Sequence, residues 1–271
     1  MKDDHDRPTG AVLFFKDLTQ VEQLEERERL RDRLASLGEM AAGMAHELRN
    51  PLAGIEVMAG LLRRQVPDSK DAQSLLADII SEAKLANAIV VEMLEFVRPV
   101  RLQVEQTDLT DVLNQAVSLA ESKATRGSVQ VSVEVAPGLP MIDGDPTQLS
   151  QVFINLVANA FEALEGKGNI AISAVKSAME QDPAFTGAPM EPIPAVVIDV
   201  ADDGPGIPAH LTDRIFNPFF TTKVTGSGLG LAIVRKIIDA HDGRIDLNSS
   251  PDTGTRFRVT LPVSSTSGWF K

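Results

Sequence analysis

The 271-residue chain has no cysteine, which excludes disulfides and thiolate chemistry. It also lacks a long hydrophobic run. The longest, "GAVLFF" and "AVVIDV", fall far short of the roughly 20 residues a membrane span needs, and no signal-peptide pattern opens the chain. Positive charge is scarce: 26 basic against 38 acidic residues leave a net charge of −12, which disfavours a general grip on nucleic acid or an anionic membrane. A soluble, cytoplasmic-type protein of two domains is expected, either by itself or as the cytoplasmic part of a longer chain.

Near the N-terminus, "TGAVLFFKDLTQ" reads as one strand, Ala11 to Phe15, running into a helix. A lone strand cannot bury itself, so residues 1–17 read as the end of an upstream domain that is otherwise missing. From there Leu30, Leu34, Leu37, Ala41, Met44, Leu48, Pro51, Ile55, Met58 and Leu62 recur in steps of three and four. That spacing predicts one long amphipathic helix from about Leu18 to Gln65. "VPDSK" breaks it, with Ser69 or Asp71 able to cap a second helix that carries Leu76, Ile79, Ala83, Ala86, Val90, Met93 and Val97 up to Pro99. Two such helices make an antiparallel hairpin over residues 18–100. Pairing with a second copy gives a four-helix bundle, so a homodimer is expected.

With Leu34, Ala41, Leu48 and Ile55 at a and Leu37, Met44, Pro51 and Met58 at d, His46 falls at f, outside the seam. Asn50 lies one turn further on the same side and Glu47 is adjacent. Position alone favours an ordinary polar surface residue. Pro51 alters that weighting, because it deletes an amide donor and crowds the Glu47 carbonyl at a cost of roughly 3 kcal/mol in a helix interior. A bend beside an exposed His-Glu pair suggests a site, and imidazole is a competent nucleophile when a carboxylate holds its proton.

After Pro99 the heptads stop. Strands at 129–135, 169–174, 195–200, 243–247 and 255–261 alternate with helices at 109–123, 146–165 and 229–242, an α/β sandwich with helices on one face of a mixed sheet over residues 106–265. "KSAMEQDPAFTGAPMEPIP" reads as a long loop, and 266–271 as a tail.

Three stretches in this region carry candidate chemistry. In "PTQLSQVFINLVANAFEAL", Asn155, Asn159 and Glu162 form a polar stripe beside an apolar face, and the two carboxamides could ligate Mg²⁺. In "VVIDVADDGPGIP" a buried strand ends at Asp202 and Asp203, with Gly204 and Gly206 shaping a turn that a flat ligand could approach. In "FNPFFTTKVTGSGLGLAIVRKII", Thr222, Lys223, Gly226, Gly228 and Gly230 precede a helix beginning near Leu229, an arrangement suited to a triphosphate. Each has a plain structural reading, as a hydrogen-bonding stripe, a strand-ending turn or a glycine hinge.

Taken together, "HELRNPL", "NLVANAFEAL", "DDGPGI", "FNPFFTTK" and "GSGLGLAI" resemble the H, N, first glycine, F and second glycine boxes of bacterial two-component sensor histidine kinases. The resemblance covers about Leu18 to Val263. It implies an α+β protein: a dimeric helical hairpin for phosphotransfer, then an ATP-binding domain of the Bergerat (GHKL) type. It further implies that His46 is the phosphoacceptor, that Glu47 is its base or orienter, and that Asn50 positions water for a phosphatase activity. Asn155 and Asn159 would hold Mg²⁺ and the phosphates, Asp202 the adenine amine, and Gly204 and Gly206 the adenine pocket. Thr222, Lys223 and the 226–230 segment, with Gly226, Gly228, Leu229 and Gly230, would form a lid over ATP. The implied partner is the receiver domain of a response regulator, in this branch often an enhancer-binding transcriptional regulator. Two other readings exist. A GHKL-type ATPase clamp needs a carboxylate where Asn155 stands, and a non-catalytic coiled-coil scaffold leaves the C-terminal motifs idle.

Overall fold

The computed structural model describes residues 48–123, 127–179, 192–223, 226–251 and 253–264. The expectations for the strand near Ala11, the first part of the long helix, His46, Glu47, the centre of the Pro-rich loop and the C-terminal tail lie outside these residues.

Helix α1 covers residues 48–65 and helix α2 covers Lys70–Val97. Pro67 and Asp68 make the turn, and Ser69 caps α2 by accepting from the Ala72 N–H. Gln73 reaches back across the turn, its side-chain amide donating to the Arg63 and Val66 carbonyls that α1 leaves open. Ala59 and Ala83 are buried in the hairpin, whereas Leu48, Ile55, Met58, Leu62 and Ile79 of the expected seam stay exposed in a single copy. Among the described residues no helix is long and apolar enough to cross a membrane.

The second unit comprises strand β1 (Glu105–Thr107), helix α3 (Leu109–Lys123), strands β2 (Ser128–Val135) and β3 (Ile142–Gly144), and helix α4 (Pro146–Leu164). Strands β4 (Lys167–Met179) and β5 (Ile193–Asp202), the short helix α5 (Ala209–Thr212), helix α6 (Gly230–Ala240) and strands β6 (Arg244–Ser250) and β7 (Gly254–Pro262) complete it. Five strands form a mixed sheet in the order β2-β4-β5-β7-β6, with only the β2–β4 pair parallel. β1 and β3 form a separate two-stranded ribbon.

Alternation along the strands gives the sheet one buried face. Ile170, Ile172, Ala174, Val196, Ile198, Val200, Phe257, Val259 and Leu261 point into a core closed by Leu113 of α3, Phe153 of α4 and Ile238 of α6. Phe96 and Val97, the last two residues of α2, are buried in the same core, so the hairpin is rooted in the α/β unit.

The Pro-rich stretch corrects one expectation. β4 continues to Met179 and β5 starts at Ile193, so Lys176 to Met179 and Ile193 to Pro194 belong to strands rather than to the loop. The cause is pairing: each flank finds a ladder partner in the other, which outweighs weak local strand propensity in "KSAM" and "IP".

Candidate nucleotide site

Asp145 starts α4 as its N-cap. One carboxylate oxygen accepts from the Thr147 and Gln148 N–H groups, and Pro146 occupies the first turn, where its missing N–H costs nothing. The helix buries Leu149, Val152, Phe153, Leu156, Val157 and Ala160. Asn155, Asn159 and Glu162 then share its opposite edge. The Asn155 side-chain amide donates to the Gly230 carbonyl at 3.4 Å, which ties α4 to the first residue of α6.

Lys223 meets the same edge. Its ammonium donates to the Asn159 Oδ1 at 3.1 Å and pairs with the Glu162 carboxylate. The expected lid lysine and the second expected metal-ligating carboxamide are thus brought together, and Glu162 joins them. Thr222 is exposed beside them.

At the end of β5 two consecutive carboxylates take different roles. Asp203 accepts from the Asn169 N–H and side-chain amide, both at 2.7 Å, and these bonds hold its carboxyl below the usual range. It locks the start of β4. Asp202 lies inward, and burial pushes its carboxyl above the ordinary value, against the lowering effect of the Gly204 and Thr255 N–H groups. Gly206 sits at φ +73°, and a Cβ there would fall 2.0 Å from the Ser250 carbonyl oxygen. Only glycine lets this turn press against β6. Gly204 faces Ala163 of α4, so the Asp202 turn abuts the helix that carries Asn155 and Asn159.

The F-box turn and the glycine segment are strapped to each other. The Phe219 N–H donates to the Gly228 carbonyl at 3.0 Å, with Phe219 itself in the left-handed region (φ +64°). A Cβ on Gly228, also at positive φ, would lie 2.6 Å from the Phe219 carbonyl carbon. Gly226 donates to the Lys223 carbonyl, Leu229 is fully buried, and Gly230 opens α6. On this segment, Ser227 accepts from the Leu229 N–H and donates its hydroxyl to Glu92 of α2. Lys236 of α6 likewise reaches α2: its ammonium donates to the Phe96 carbonyl at 2.6 Å and to the Glu95 and Arg98 carbonyls.

Sequence reasoning missed Glu92, Ser227 and Lys236. A serine between glycines and a lysine on an amphipathic helix carry no signal of a tertiary partner more than a hundred residues away. Asn50 lies exposed on α1, and His46 and Glu47 fall outside the described residues. Among the described residues no cluster of three or more His, Cys, Asp or Glu offers a metal site.

Residues 144–265 match the family of histidine kinase-, DNA gyrase B- and HSP90-like ATPases, and residues 36–100 match the His Kinase A (phospho-acceptor) domain. The chain is 36% identical over 261 residues to the sensor histidine kinase ZraS of Escherichia coli K12, covering 95% of this chain and 53% of that protein. Among solved structures it is similar to histidine kinase ThkA in complex with response regulator TrrA (31% identity, TM-score 0.61, 93% of this chain and 69% of that one). It is also similar to full-length ShkA in complex with AMPPNP (26% identity, TM-score 0.65, 84% and 46%). The chain spans about half the length of the curated relatives it matches. On these matches, and on the helical hairpin followed by a one-sided mixed sheet, the chain belongs to the sensor histidine kinase family.

Proposed function

We propose that this chain is the phosphotransfer and ATP-binding part of a sensor histidine kinase: it phosphorylates His46 from ATP and passes the phosphoryl group to an aspartate of a response-regulator receiver domain. One observation carries the nucleotide half of this reading. A half-buried carboxylate, Asp202, stands on a turn packed against the helix whose edge brings one carboxamide, Asn159, to Lys223 and another, Asn155, to the first residue of α6.

In this reading Asp202 accepts from the adenine amine, its own solvation already replaced by the Gly204 and Thr255 N–H groups. Gly206 keeps the turn close to β6. Lys223 and the backbone from Gly226 to Gly230, at the start of α6, face the phosphates. The residues also fit Mg²⁺. Asn155, Asn159 and Glu162 offer hard oxygens along one helix edge, and Asn159 and Glu162 already hold a cation, the Lys223 ammonium. These side chains would hold Mg²⁺, which would neutralise charge on the triphosphate.

A ring nitrogen of His46 then bonds to the γ-phosphorus as the bond to the β–γ bridging oxygen breaks, and ADP leaves with that electron pair. Glu47 takes or orients the proton on the other ring nitrogen. In the same reading Asn50, exposed on α1, orients water for dephosphorylating the partner regulator. The similarity to ThkA, whose structure holds a response regulator, supports a receiver-domain partner; that it belongs to an enhancer-binding transcriptional regulator, as often in this branch, rests on the motif resemblance alone. The exposed Leu48, Ile55, Met58 and Leu62 support a homodimer. An ATP-driven clamp is not favoured, since Asn155 offers no carboxylate there.

The test is incubation with labelled ATP and Mg²⁺, comparing wild type with His46→Gln. Acid-labile, base-stable label in wild type alone supports the kinase. ATP hydrolysis unchanged by the substitution, with no protein-bound label, supports the clamp.

A further inference from the structure

Glu162, so far one of three side chains offering oxygens to a divalent ion, also holds the one lysine assigned to the phosphates. Its carboxylate pairs with the Lys223 ammonium, which also donates to Asn159 Oδ1 at 3.1 Å. The ammonium therefore occupies the oxygen-lined position that a divalent cation would take.

We propose that Glu162 is a positioning residue that parks Lys223 as a tethered stand-in cation, released to the phosphates only when Mg²⁺ arrives with the nucleotide. This rests on the nucleotide-site reading above and assigns it a metal-dependence mechanism.

The physical steps are short. Asn159 and Glu162 lie three residues apart on α4, adjacent on one face, so an amide oxygen and a carboxylate converge on a single cation. A divalent ion entering that position repels the ammonium and competes for both oxygens. Lys223 is 41% exposed and Glu162 57%, so both can exchange partners with little cost in burial. The released ammonium gains phosphate oxygens instead. Without the metal, a nucleotide meets an uncompensated Glu162 carboxylate if Lys223 leaves it, or finds no lysine if Lys223 stays. Affinity in the absence of Mg²⁺ is thereby held down, and the lid lysine engages only a metal-loaded nucleotide.

The test is a double-mutant cycle on the full chain, reading AMPPNP affinity by calorimetry with excess chelator and with Mg²⁺. Glu162→Gln, Lys223→Met and the double variant are compared with wild type, and thermal melts confirm folding. An exposed pair of this kind corresponds to about a two- to five-fold effect. With chelator, Glu162→Gln is expected to bind AMPPNP about two- to five-fold tighter than wild type, and the ratio of Mg²⁺ to chelator affinities to shrink. In the Lys223→Met background the same change is expected to tighten binding clearly less, because only removal of the charge remains and no lysine is released. Equal tightening in both backgrounds overturns the proposal, because removal of a negative charge near the phosphates then explains it. No tightening in either background overturns it too. Failure of wild type to bind AMPPNP with Mg²⁺ present overturns the nucleotide-site reading, and this proposal with it. Binding with a flat cycle overturns the lysine exchange alone.

Discussion

Asp202 and Asp203 are neighbours with the same side chain and opposite surroundings. Asp203 is engaged twice by Asn169 on the surface, whereas Asp202 is half-buried and satisfied by backbone N–H groups that leave acceptor capacity for a ligand. If Asp202 binds the adenine amine, Asp202→Asn keeps the turn and replaces a charge-assisted bond with a neutral one. That difference is about 1 to 1.5 kcal/mol, so AMPPNP affinity by calorimetry is expected to fall about tenfold. Asp203→Asn is expected to leave it within twofold. "DDG" alone gives no reason to separate the pair, because which carboxylate turns inward depends on the ladder register of β5. Asp202 sits opposite Ile170 and Thr255, at the last paired position.

Between elements, the contacts that set the site join helices far apart in the chain. His241, the residue after α6, is buried. Its Nε2 accepts from the Asp145 N–H at 3.0 Å, and its Nδ1 lies 2.8 Å from the Ile237 carbonyl, to which it donates. It therefore clamps the C-terminal end of α6 to the N-cap of α4 as the neutral tautomer. Burial pushes its pKa below the ordinary 6.5, opposed by the Ile237 carbonyl and the Asp145 and Asp242 charges. Since the unfolded chain takes up a proton near pH 6.5 and the folded one resists it, stability is full above that pH and falls as pH drops toward the folded value. The melting temperature of wild type is expected to fall more steeply between about pH 7 and 5 than that of His241→Gln, which keeps an acceptor but does not titrate. Lys236 makes a comparable link to α2, whose last turn holds no basic residue of its own. It caps the open carbonyls from outside, with burial pushing its pKa down to about 8.

Elements with strong periodicity or sharp caps were legible in the sequence. α3 spans Leu109–Lys123 and α4 begins at Pro146, both as expected, and Asp145-Pro146 is the reason for the second. Ribbon strands β1 and β3 were not, because three residues are too few to display a period of two. The strand extensions past Ala174 were hidden by proline and alanine. The boxes marked Asp202, Asn159 and Lys223, but nothing in their spacing placed Lys223 on Glu162, since only the fold brings the F box over α4.

At the scale of the whole molecule, two units share one core. Phe96 and Val97 end α2 inside the α/β unit, while Ser227 on the glycine segment donates to Glu92 further up α2. The glycine segment is thus in contact with the second helix of the hairpin. Exposed Leu48 (52%), Ile55 (41%) and Met58 (59%) in a single copy leave the hairpin seam for a second chain. The central claim is that the ATP-side chemistry ends on one histidine of that hairpin. It is tested most directly by mapping protein-bound phosphate on peptides kept at alkaline pH after incubation with ATP and Mg²⁺. One phosphoryl group on the peptide bearing His46, lowered about tenfold on the same peptide of Asp202→Asn at limiting ATP, is the expected result. Phosphate confined to any other peptide, or ATP consumed with no phosphopeptide formed, contradicts it.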